Sequence, residues 1–423
     1  MAQLEPRILV FSSLFPSAVQ PGAGLFIRER MFRVARELPL VVVSPQPYFP
    51  GQSLIRRLRP GYRLQAPPVE VQDGIQVYHP RFFSLPGLGR RFDALSMALC
   101  SYALLRRLRK AFAFDLIDAH FAYPDGAAAV RLGRWFQVPV TVTLRGTEVP
   151  QARSARRPQL AATLQQVTRI FTVSDSLRRL ALDLGAADHR VQVVPNGVNG
   201  SLFYPVDGRA TRRTLGIAED AKVLITVGGL VERKGFHRVI QVLPELLARG
   251  HDVQYLVVGG PCAEGDMEAA LRAQVERLGL EDRVHFCGAL PPDRLREPLS
   301  AADLFVLSSR NEGWANVLLE ALSCGLPVVA SDVGGNAEVI CDPVLGAIVP
   351  FGDEAAMCDA ISAALEQRGG AAQRLAYAEA NQWDARVRTL VEAFRQLVGP
   401  QSQAQAQAGE VKPTPGVETP GPG

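Results

Sequence analysis

The stretch NEGWANVLLEALSCGLPVVASDVGG, Asn311 to Gly335, sets Glu312 and Glu320 eight residues apart in an otherwise apolar run. Just before it, DLFVLSSR (Asp303 to Arg310) has the composition of a buried strand that ends in a loop. ANVLLEALSCG has helical composition closed by Gly325, and Pro327 starts a further strand. This order predicts a parallel α/β unit, with Glu312 in the loop before a helix and Glu320 about two turns inside it. A carboxylate on an apolar helix needs a partner when it faces inward, and the hydroxyls of a ribose or hexose are suitable donors. Read locally, the same residues have a plainer account: Glu312 complements the helix dipole and Glu320 sits on the surface.

Outward from this stretch the alternation repeats. VLITVGG, VQYLVVGG and VHFCGAL precede it, and the first half of the chain holds RILVFSS, PLVVVSP, DLIDAHF, PVTVTLRG, RIFTVS and VQVVPNG. Segments of helical period such as FIRERMFRVARE separate most of them. Two doubly wound, Rossmann-like parallel-sheet domains are predicted, 1–200 and 201–382, facing each other across a cleft. A last helix is expected over 383–399, and the stretch 400–423, rich in Pro, Gln, Ala and Gly, is expected to be disordered.

Composition agrees with a globular, two-domain chain: 423 residues, 47% hydrophobic and 21% charged. The net charge of +4 hides an asymmetry, because residues up to Arg190 hold 26 Lys and Arg against 13 Asp and Glu, and the rest hold 20 against 29. Positive charge concentrates in IRRLRPGYR (55–63), GRRF (89–92) and LRRLRK (105–110), with apolar residues interleaved. Such runs are solvated helix faces or surfaces that dock on anionic lipid; no nucleic-acid motif accompanies them. Six cysteines lack any metal-site or paired spacing, which fits a reducing cytoplasm. The first residues read as a buried strand rather than a signal peptide, and no apolar run reaches the length of a membrane span.

Ligands of open parallel sheets bind beyond the C-terminal ends of the strands, so chemistry is expected in the loops there. After the first strand, Gly22 and Gly24 either admit a close ligand or simply make a turn, and a dinucleotide fingerprint is not met. Arg233 and Lys234, in VGGLVERKGFHRVI, place two cations ahead of a helix, a suitable setting for a diphosphate. His120 ends a strand; read alone it is a structural hydrogen-bonding residue more readily than a catalyst. Asp125 reads as a turn residue.

EGWANVLLEALSCGLPVVASDVGGNAEVI resembles the donor-site motif of retaining GT-B glycosyltransferases of family 4, two glutamates separated by seven residues. DLIDAHFAYPDG, VPVTVTLRGTEV, FTVSDSLRRL, VQVVPNGVNGSLF, VGGLVERKGF, VHFCGAL and AADLFVLSSRNEG follow that family's order, so the resemblance covers about Arg7 to Val398. It implies a GT-B fold whose last helix returns to the N-terminal domain. It also implies transfer of a sugar from a nucleoside-diphosphate donor to a glycan or lipid-linked acceptor, in cell-surface polysaccharide synthesis at the inner face of the cytoplasmic membrane. On the matching positions, Glu320 would hold the ribose and Glu312 the donor sugar near its reacting carbon. The amides of Asn316 and Val317 would meet the diphosphate, with Arg233 and Lys234 neutralising it. Leu290 would lie against the base, Gly24 would approach the diphosphate, and His120 would approach the donor sugar or acceptor. No metal and no cofactor beyond the donor is implied, and no DxD-type acidic pair ends a strand. Same-face displacement is favoured over a covalent intermediate on Glu312.

Three positions depart from the family pattern. Gly229 stands where an arginine is common, Arg145 where a histidine is, a cation that would instead reach an anionic acceptor or phosphate, and Asn199 where an aspartate is. Two other classes fit the same fold: a non-catalytic nucleotide- or glycan-binding partner protein, and a nucleotide-sugar epimerase.

Overall fold

Ile8–Phe11 (β1) and Leu40–Val43 (β2) are apolar and buried at every position, as strands covered on both faces must be. The computed structural model describes residues 5–58, 62–85, 92–262, 264–367 and 369–399. The expected disorder of 400–423 lies outside the described residues, as do parts of the basic runs at 59–61 and 89–91. Among the described residues, no helix is long and apolar enough to cross a membrane.

The remaining strands of the first half are Gln46–Tyr48 (β3), Val69–Gln72 (β4), Ile75–Tyr78 (β5), Arg81–Phe83 (β6), Leu116–His120 (β7), Val140–Leu144 (β8), Arg169–Thr172 (β9) and Val191–Val193 (β10). Eight of these ten strands form one sheet in the order β10-β9-β8-β7-β1-β2-β5-β4. β1 lies parallel to both β2 and β7, with Ile8 opposite Leu40 and Leu116. The expected strands are present, and four further short ones, β3 to β6, join them. β4 runs antiparallel to β5 around Asp73 and Gly74, both at positive φ, and β3 pairs with β6 alone.

The second half forms a six-stranded parallel sheet, β13-β12-β11-β14-β15-β16. Its strands are Lys222–Val227 (β11), Val253–Val258 (β12), Val284–Gly288 (β13), Leu304–Leu307 (β14), Val328–Ser331 (β15) and Gly346–Val349 (β16). Alternate residues feed two apolar cores: Ile225, Leu256, Phe305 and Val328 on one face, Leu224, Tyr255, Val306 and Val329 on the other. Thr226, buried between them, donates to the Val306 carbonyl and accepts from the Tyr255 hydroxyl, so no polar atom of that pair is stranded.

The chain packs as two compact units. One holds the described residues up to Ala119, Ala128–Thr141 and those from Arg388 on; the other holds His120–Ala127 and Val142–Val387. The helix Trp383–Val398 changes unit along its length: Trp383 backs onto Gly197, and Arg395 meets Glu37 at 4.0 Å.

Candidate active site

Every site residue named below except Gly24 belongs to the second unit. β14 ends in a loop, and the helix Asn316–Ser323 starts within one residue of the expected position. Glu320, its fifth residue, lies about one turn inside it rather than two. The loop is occupied by a backbone crossing that only glycine permits. A Cβ on Gly334, whose φ is 57°, would fall 1.8 Å from the Glu312 carbonyl oxygen; one on Gly313 would fall 2.0 Å from that of Arg145. Gly335 stands close to the Gly313 carbonyl in turn. The paired glycine that closes the opening stretch thus supports the loop that carries Glu312.

A second glycine sets the cations. Gly235 has φ 78° and would place a Cβ 1.9 Å from the Ser308 carbonyl oxygen, so the short turn Glu232–Lys234 is laid against the end of β14. The Arg310 amide then donates to the Arg233 carbonyl at 2.8 Å. Lys234 Nζ donates to Glu312 Oε1 at 2.7 Å, and Arg233 Nη1 stands 3.6 Å from the same oxygen. Arg233 also makes a two-pronged contact with Glu264, at 2.9 and 2.7 Å. That bond holds the Glu264 carboxyl below its usual range and raises Arg233 against the opposing effect of burial. The two pairs differ in solvent access. Lys234 and Glu312 side chains are 14% and 8% exposed, Arg233 and Glu264 31% and 52%.

A third cation is wired differently. Arg145, nearly buried, donates through Nε to His120 Nδ1 at 3.2 Å and through Nη1 to Asn196 Oδ1 at 3.2 Å, with Nη2 3.0 Å from the same His120 nitrogen. Because a guanidinium can only donate, His120 Nδ1 is the acceptor and the ring proton sits on Nε2. Asn196 Nδ2 donates in turn to Asn316 Oδ1 at 2.9 Å, which links His120 to the first residue of the Asn316–Ser323 helix. Ala315 caps that helix with no side-chain acceptor, leaving its first amides for an anion. Beneath lies Glu148, fully buried, whose carboxylate accepts from the amides of Ala122, Arg145 and Gly146 at 3.0, 3.1 and 2.9 Å.

The structure thus joins Glu312, Lys234 and Arg233 directly, and His120 and Asn316 through Arg145 and Asn196. Val317 is the second residue of the helix and Glu320 is half-buried on it. Leu290 packs against an apolar core. Gly24 lies in the other unit, where it caps the helix Leu25–Val34 at φ 70°, and an added Cβ would fall 2.6 Å from the Leu14 carbonyl oxygen. Asp125 sits in a turn, as expected, but buried.

The departures have local accounts. A side chain on Gly229 would meet Cys262 Sγ at 3.0 Å, so the place of an arginine is taken. Asn199 Oδ1 accepts from the Ser201 amide and hydroxyl, a turn that an aspartate oxygen would make equally. Arg145, expected to reach an anionic acceptor or phosphate, is engaged with His120 and Asn196 instead.

Sequence reasoning missed Glu148, Asn196 and Glu264. Glu148 had a signal, since an acid three residues after Arg145 reaches back to its amide as in a capping box. Beside Arg233 opens a pocket of about 660 Å³ whose charged lining includes Arg153, Arg310, Glu232, Glu264 and Asp332.

Comparison with known proteins shows the family and the fold. The family Glycosyl transferases group 1 matches residues 207–382, and Glycosyltransferase Family 4 matches 33–201. A D-inositol 3-phosphate glycosyltransferase of Geodermatophilus obscurus is 31% identical over 353 residues, 78% of this chain and 77% of that one. A Bacillus subtilis (strain 168) protein, TuaC, provisionally named a teichuronic acid biosynthesis glycosyltransferase, is 29% identical over 338 residues, 78% of this chain and 82% of its own. Sucrose-phosphate synthase from Thermosynechococcus elongatus superposes with a TM-score of 0.73 over 93% of this chain and 99% of its own, at 21% identity, a likeness of fold.

Proposed function

Because this chain belongs to the glycosyl transferases group 1 family, and is a glycosyltransferase of GT-B fold, we propose that it is a retaining, metal-independent enzyme. It moves a hexosyl or related sugar from a nucleoside-diphosphate donor to a glycan or lipid-linked acceptor. One observation carries the reading: Lys234 and Glu312 meet at 2.7 Å with Arg233 3.6 Å from the same oxygen. This gathers a carboxylate for sugar hydroxyls and two cations for a diphosphate at one point.

When the bond between the anomeric carbon and the diphosphate breaks, negative charge grows on the leaving oxygen and positive character on the sugar. Lys234, Arg233 and the amides of Asn316 and Val317 meet that negative charge, Arg233 by exchanging its exposed partner Glu264 for the diphosphate. These groups supply the charge stabilisation that a metal ion supplies elsewhere. The acceptor oxygen bonds to the same face of the anomeric carbon, its proton passes to the departing phosphate oxygen, and configuration is retained. Glu312 holds the sugar near its reacting carbon and Glu320 the ribose; Leu290 lies by the base. His120, with its proton on Nε2, donates toward the sugar or acceptor. The mixed charges lining the 660 Å³ pocket suit a hydroxyl-rich acceptor.

A role in cell-surface polysaccharide synthesis follows the name of the Bacillus relative. The excess of 26 cations over 13 acids before Arg190 supports work at the inner face of the cytoplasmic membrane, where lipid-linked acceptors reside.

The test is a panel of nucleotide sugars read by mass spectrometry. We expect nucleoside diphosphate release and transfer to added acceptor, lowered about a hundredfold to a thousandfold by Lys234→Ala. Glu312→Ala should be as damaging. Binding without release would make the protein a non-catalytic partner, and an epimerised donor would make it an epimerase. Unchanged rates in both variants would remove the proposed roles.

A further inference from the structure

The helix Asp93–Ala111, in the first unit, carries an exposed stripe that its own packing does not account for. Phe92, Leu95, Leu99 and Tyr102 recur at helical spacing and are 55%, 43%, 57% and 38% exposed. Arg106 and Lys110 continue the same line to the last turn. Trp135, 43% exposed, stands edge-on to Tyr102 with ring centroids 5.5 Å apart, widening the patch with a second amphipathic ring. Single exposed apolar residues are ordinary in soluble proteins, whereas a contiguous row marks a surface that meets something.

Charge says what that is. The helix ends in Arg106, Arg107, Arg109 and Lys110 and holds one acid, Asp93, in its first turn. Among the described residues, Arg106, Arg107 and Lys110 make no ion pair. Along the flank of the stripe, past Ala103, opens a pocket of about 550 Å³ whose lining holds Arg81 and Arg107 and no carboxylate. A second copy of the chain is a poor occupant, because a twofold pairing of this helix offers only Asp93 as counter-charge to each basic end.

We propose that this face docks on an anionic lipid bilayer. The apolar stripe enters at headgroup depth, Tyr102 and Trp135 sit at the interface, and Arg106, Arg107 and Lys110 meet lipid phosphates. The proposal rests for its purpose on the reading that the acceptor is lipid-linked; its evidence is this surface alone.

The experiment is cosedimentation with vesicles of phosphatidylcholine, and of phosphatidylcholine with an equal share of phosphatidylglycerol. The chain should bind the anionic vesicles preferentially and release them with salt. Replacing Arg106 and Lys110 by Gln should weaken binding about tenfold or more, and Leu95→Ser with Leu99→Ser about tenfold. All four side chains are exposed, and release of nucleoside diphosphate in vesicle-free buffer should be unchanged in both variants. Failure of donor turnover with vesicle binding intact would sink the catalytic reading and leave this one standing. No binding to anionic vesicles, or equal binding by both variants, would overturn the docking surface. So would a dimer in solution that Leu95→Ser with Leu99→Ser dissociates.

Discussion

Two cationic places in the second unit are built on opposite plans. At Arg145 the backbone is locked: Gly146 and Gly313 press together, the guanidinium is nearly buried, and its fork is taken by His120 and Asn196. At Arg233 the fork grips Glu264, a carboxylate more than half exposed, in a pocket open to ligand. A buried charge held by fixed acceptors is costly to move, whereas an exposed ion pair gains little and exchanges partners readily. On the proposed reading, Arg145 positions its neighbours and Arg233 is the cation that turns to a diphosphate. Lys234 stands between the two, paired like Arg233 but with a side chain only 14% exposed.

The comparison breaks first at the glycine lock. Gly313→Ala would put a Cβ 2.0 Å from a backbone oxygen that no rotamer change can move. Overpacking of this kind costs about 1–3 kcal/mol, so we expect a loss of that size in denaturant unfolding. Gly22→Ala is the matched control, since nothing lies within 4 Å of its added Cβ. Its change should stay within about 0.5 kcal/mol. Equal stability of the two variants would mean that the backbone around Arg145 yields to an added methyl and is not locked.

Arg145→Lys sharpens the comparison from the side-chain end. An ammonium cannot reproduce a planar fork that reaches His120 Nδ1 and Asn196 Oδ1 together. His120 and the Asn316 end of the helix would lose their common brace. We expect kcat about tenfold lower, with KM for the donor nearly unchanged, in steady-state assays of diphosphate release. A rise in KM alone would show that Arg145 binds substrate directly, as the sequence had suggested.

How much of this was legible depended on the range of the interactions. The parallel strands were readable because both faces are buried, which turns Ile8–Phe11 and Leu304–Leu307 into unbroken apolar words. The hairpin at Asp73 and Gly74 was passed over although its signal was present, a polar alternation around a dipeptide suited to positive φ. Glu312, Lys234 and Arg233 were legible because each follows a strand end. Asn196 was not, since its importance lies in Arg145, 51 residues away, and in Asn316, 120 away. Glu320 was placed a turn too deep although the helix starts within one residue of Ala315, because five residues from that start make little more than one turn.

The smallest effect tests the yielding side of the comparison. The Glu264 carboxyl is held below its usual range by Arg233, so the pair contributes fully above the ordinary glutamate value, about pH 4.3, and its contribution is lost as pH falls through the lower folded value. With Glu264 half exposed, that contribution is less than about 1 kcal/mol. Glu264→Gln should therefore unfold slightly more easily at pH 7, and the difference should close on acidification as the wild-type carboxyl takes up its proton. The same substitution releases Arg233 from a competing anion, so nucleoside diphosphate should bind about threefold more tightly in calorimetry. A weaker affinity instead would show that Glu264 orients Arg233 rather than competing for it, and the contrast with Arg145 would dissolve.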